Sequence, residues 1–147
     1  MIKGIGRDAN PIDGDRIVLE VGIRDGKVVR IAPEGIIVGV MEQVGGVTRA
    51  VEFETGAEAR SSGHETFGGC ETARRAALAL YPLARDLPID QALAVGVRDL
   101  IAATGEVQPE NERCVLTVIG AFRIALINVH VAALAEASVE VKRLRVK

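Results

Sequence analysis

The chain has 147 residues, 48% of them hydrophobic and 26% charged, with a formal net charge of −2. That length fits one domain able to bury a core, and the hydrophobic content excludes a disordered chain. Mixed charge excludes a nucleic-acid footprint, which needs a clustered basic excess.

The N-terminus, MIKGIGRDANPIDGDR, is polar and Gly-rich. It has neither an apolar signal region nor an Arg/Ser-rich transit pattern, so residues 1–16 read as a flexible start to a single domain spanning 1–147. Strand signals follow. Ile17–Ile23 is β-branched and ends in Arg24-Asp25-Gly26-Lys27, and Val28–Ile31 comes next. Asp-Gly between two such runs is a strong hairpin signal, because the turn needs positive φ. Pro33-Glu34-Gly35 interrupts, Ile36–Val40 resumes, and Gly45-Gly46 leads into Val47–Glu54 with a two-residue period. An antiparallel meander of three or four strands accounts for these runs.

Residues 55–69 form a Gly/Ser-rich loop that contains His64, and long loops of this kind often carry function. From Cys70, apolar residues recur at helical spacing (Ala73, Ala76, Ala77, Leu80, Ala84), and Pro82 is expected to end or bend that helix. Leu87-Pro88-Ile89-Asp90 starts another, whose apolar face (Leu93, Val97, Leu100, Ile101) runs to Gly105. Acidic residues around Pro109 precede a long helix from Cys114 to about Ala137. The apolar stretch Val115–Leu134 is interrupted by Arg123, Asn128 and His130, which a membrane span tolerates poorly, so a buried helix is expected. His130 reads as a core or surface histidine. Residues 138–147, with Lys142, Arg143, Arg145 and Lys147, read as a solvated basic tail. The expected fold class is therefore α+β, with a meander first and helices packed on one face.

Cys70 and Cys114 are the only cysteines, and each is expected near a helix start. A helix N-terminus carries partial positive charge and N–H groups that stabilise a thiolate. Gly68 and Gly69 let the backbone approach whatever the Cys70 sulfur meets. Without an export signal the expected compartment is the cytoplasm, where two thiols are reactive or metal-binding rather than paired in a disulfide. His64, six residues before Cys70, is a candidate third ligand or acid/base group.

The order of a meander, then F-G-G-C-E-T-A, then L-P-I-D-Q-A-L, then E-R-C-V-L-T-V-I-G-A resembles the U-type iron–sulfur cluster assembly scaffold family, the IscU and NifU N-terminal domain type. The resemblance covers roughly residues 28–130. It implies that Cys70 matches the family's second cysteine and Cys114 its third. The family's first cysteine lies in a turn like A-P-A-C-G-D, whose counterpart here is Ala32-Pro33-Glu34-Gly35, and the histidine before its third cysteine is replaced by Arg113.

Two expectations stand side by side. In one, the protein is a divergent scaffold that binds an iron–sulfur cluster or zinc through Cys70 and Cys114. Glu34, His64 or a partner's ligands then complete the site, since a labile cluster wants three thiolates. In the other, no cofactor is involved. Cys70 and Cys114 transfer a proton on a small anionic substrate while Arg113, with Glu34 nearby, stabilises the developing anion, as in an isomerase or tautomerase. A third reading is a partner-binding domain whose site is inactive. A protein partner or a second copy would use the last helix, where Val115, Val118, Ile119, Phe122, Leu126 and Val129 form an apolar face. No nucleic acid or membrane is implied.

Overall fold

A computed structural model describes residues 1–9, 16–44, 47–54 and 68–146, with side chains described over 1–9, 16–34 and 71–139. Four strands, β1 (Ile2–Ala9), β2 (Arg16–Arg24), β3 (Lys27–Val44) and β4 (Val47–Glu54), form an antiparallel sheet in chain order. Helices α1 (Gly68–Ala84), α2 (Ile89–Leu93), α3 (Val97–Thr104) and α4 (Glu112–Val146) follow, with a 3-10 turn at Pro109–Asn111. The domain is α+β, as its sequence implies.

The β2–β3 hairpin forms where Asp25-Gly26 places it. Both residues take positive φ, 54° and 75°, the geometry of a two-residue primed turn. Along β2, Ile17, Leu19, Val21 and Ile23 alternate inward and are buried, so one face of the sheet carries the core. Pro33-Glu34-Gly35 does not end β3. Val18 pairs with Gly35 and Leu19 with Pro33, which leaves Glu34 as the extra residue of a β-bulge. A bulge accommodates the missing proline donor and lets the strand continue.

The N-terminus differs from the flexible segment expected for residues 1–16. Ile2–Ala9 is the edge strand of the sheet, paired with β2 from Ile2 opposite Ile23 to Ala9 opposite Arg16. Its glycines are points of close packing. A Cβ on Gly4 would lie 2.6 Å from the Val129 nitrogen, and one on Gly6 would overlap the Ala121 carbonyl oxygen. Asn128 Nδ2 donates to the Ile5 carbonyl at 2.6 Å. The long helix therefore covers the edge strand, an arrangement that protects a sheet from pairing with other chains.

The first turn of α1 includes Gly68 and Gly69, which the sequence assigns to the preceding loop. Ala73, Ala76, Ala77, Leu80 and Ala84 are its buried face. Pro82 lies within the last turn without ending the helix, which continues to Ala84. The expected run from Ile89 to Gly105 is broken instead at Ala94–Gly96. There the Gly96 N–H donates to Asp99 Oδ2 at 3.0 Å and starts α3 afresh. Gly105, at φ 98°, ends it.

In α4 the residues expected to offer a partner surface are the core itself. Val115, Val118, Ile119, Phe122, Leu126 and Val129 are all fully buried. The helix is apolar on two sides, and the outer side carries Leu116, Ile124, Ile127, Val131 and Leu134. Residues 138–146, expected as a tail, continue the helix to Val146. Pro109–Val139 is long and apolar enough, by length and composition, to cross a membrane. Its most apolar window is 56% buried inside the domain, as befits a core helix.

Candidate functional site

The strand register defines two ends of the sheet. Ala9, Arg16, Ile37 and Glu54 form a row across all four strands at one end of β1 and β2, and the β3–β4 hairpin runs on past it to Val44 and Val47. Ile2, Ile23 and Val28 mark the other. Helix α4 runs antiparallel to β1. Gly4 meets Ala125 and Val129, Gly6 meets Ala121 and Ala125, and Gly120 lies against the Asp8 carboxylate. The first turn of α4 therefore projects at the first end.

Helix α1 is anchored by its C-terminus at the second end. The Asp86 N–H donates to the Val28 carbonyl at 2.8 Å, and the Val28 N–H donates to the Leu87 carbonyl at 2.9 Å. From there α1 packs back over β3 and α4, so its first turn also lies at the first end. It touches the 3-10 turn that precedes α4, and Arg75 Nη2 donates to the Glu106 carbonyl at 3.0 Å, tying α1 to the same segment.

Cys70 is the third residue of α1 and Cys114 the third of α4. Glu34, at the bulge between the Val18 and Leu19 pairs, is exposed near the middle of β3. The strand register and the helix directions thus put the backbones of Cys70, Arg113 and Cys114 toward the same end of β1 and β2, with Glu34 near the middle of β3. Their side chains are not equivalent. Cys114 faces inward, only 2% exposed, within the core cluster. Arg113 is exposed, and its carbonyl accepts a 2.9 Å hydrogen bond from the Thr117 hydroxyl. The Cys70 side chain and all of His64 lie outside the described residues. Among the described residues no group of three His, Cys, Asp or Glu side chains is arranged for a metal ion.

The second end holds a feature that the sequence does not announce. A cavity of about 460 Å³ opens between the β2–β3 turn at Gly26, the start of α2 and the middle of α4. Pro88, Ile89, Leu93 and Ile127 form its apolar wall, and Asp90 and His130 are its ionisable members. Of the two readings of His130, core or surface, the structure bears out the second. It is exposed at the edge of this cavity. No sequence signal could have found the group, because it is assembled from three segments far apart in the chain.

No protein-family model matches the chain, and no curated protein matches its sequence.

Proposed function

We propose that the domain holds a metal ion or an iron–sulfur cluster at the end where α1 and α4 begin, with Cys70 and Cys114 as its own thiolate ligands. What supports this reading is that two helices, each with a cysteine at its third residue, begin toward the same end of β1 and β2. Paired helix N-termini favour negative charge, and a thiolate-ligated cluster is negatively charged. The order of a meander followed by helices agrees with the resemblance to the U-type scaffolds.

Two thiolates do not complete a four-ligand site. Glu34 is the candidate from β3, His64 is the candidate from the segment before α1, and a partner protein can supply the remainder. That partner would meet the outer face of α4 near its start, at Leu116, rather than the face turned to the core. Burial of Cys114 suits a labile site, because an apolar surround limits the access of water and oxidants.

One observation favours a second reading. Arg113 stands exposed beside Cys114, and a guanidinium binds anions rather than metals. A metal-independent isomerase or tautomerase would use the two thiols for proton transfer and Arg113 to hold a small anion. Anaerobic purification with assay of iron, zinc and sulfide separates the two. Close to one equivalent of bound metal, lost in Cys70→Ser, supports the first. A metal-free protein with an alkylation-sensitive thiol overturns it in favour of the second.

A further inference from the structure

The cavity at the second end is remote from both cysteines and has its own construction. Its base is fixed by the backbone. Lys27 and Pro88 form an isolated antiparallel bridge, and hydrogen bonds in both directions join Val28 to the Asp86–Leu87 segment. Gly26, held at φ 75°, has open space where a side chain would stand. The outer wall is α4, where Ile127 stays 52% exposed because it faces this opening rather than the core. A concavity of about 460 Å³ is in the range of small-molecule sites, which combine apolar walls with a few placed polar groups.

We infer that this cavity binds a compact apolar amine, with its hydrocarbon body against Ile89, Leu93 and Ile127 and its ammonium group on the Asp90 carboxylate. Asp90 is the formally charged acid among the described lining residues, and no lysine or arginine lines the cavity with it. An ammonium ion therefore meets a complementary charge, and a carboxylate ligand would meet repulsion. Apolar surface removed from water on both partners supplies the rest of the affinity.

Three probes with one body and different heads test the assignment: 4-phenylbutylamine, 4-phenylbutanol and 4-phenylbutyrate. Each is titrated into the full chain and followed by amide NMR shifts and calorimetry. The amine is expected to bind saturably, shifting Ile89–Leu93 and Ile127–His130. The alcohol is expected to bind at least tenfold more weakly, and the carboxylate more weakly still. Asp90→Asn should bring the amine down to the affinity of the alcohol. Ile127→Trp, a change on an exposed wall that spares the core, should close the cavity to all three. Equal affinity for the three heads, shifts outside these segments, no saturable binding, or sedimentation showing the cavity closed between two copies of the chain would each overturn the assignment.

Discussion

The two ends of the sheet are built on opposite plans. Toward the first, two helix starts place the chemically versatile residues Cys70, Arg113 and Cys114, and Cys114 is sealed in the core. At the second, ordinary residues enclose a cavity whose ionisable members are Asp90 and His130. Residue type marks the first end and shape marks the second. A thiol site needs few atoms in a protected place, whereas a small-molecule site needs volume and apolar wall before it needs reactive groups.

Both ends hang on α4, so the largest expected effect removes the distinction between them. Phe122 is fully buried in the first half of that helix, and Phe122→Ala should cost about 4 kcal/mol of stability in urea unfolding, with metal content and amine binding lost together. Next comes Gly6→Val, whose side chain would press on the Ala121 carbonyl and the Ala125 backbone. Overpacking there should cost about 3 kcal/mol and separate β1 from α4, which is read as faster amide exchange along Ile2–Ala9. Gly26→Ala sharpens the contrast, because nothing crowds that position and only its positive φ opposes a side chain. It should cost about 1 kcal/mol and weaken amine binding while leaving metal content unchanged. Smallest is Asp99→Ala, which removes the side-chain acceptor at the start of α3. A loss of about 0.5–1 kcal/mol, with both ends functioning normally, is expected from thermal unfolding and the two binding assays.

Local signals were legible where local geometry decides. Asp25-Gly26 named its turn, Ile17–Ile23 named its buried face, and the alanines of α1 named its packing side. The remainder depends on contacts across the chain. Gly4 and Gly6 read as flexibility, yet they are glycine because the backbone of α4, more than a hundred residues later, passes too close for a Cβ. The outer and inner apolar faces of α4 are hard to rank from periodicity, since both carry large aliphatic residues; only the position of the sheet makes Phe122 core and Ile127 cavity wall. Glu34 reads as a turn carboxylate, and its role as a bulge residue appears only once Val18 and Leu19 are set opposite Gly35 and Pro33. Of the candidate site, the sequence supplied the residue types and the helix starts. The placement of those starts toward one end follows from the register of the strands and the antiparallel course of α4.

The most direct test of the two-ended account is an anaerobic amide NMR titration of the full chain with Zn²⁺, with 4-phenylbutylamine added afterwards. The account predicts that zinc perturbs the first turns of α1 and α4, around Cys70 and Cys114, and leaves Gly26, Asp90 and His130 unmoved until the amine is added. Zinc shifts centred on Asp90 and His130, with the first turns of α1 and α4 silent, would contradict it.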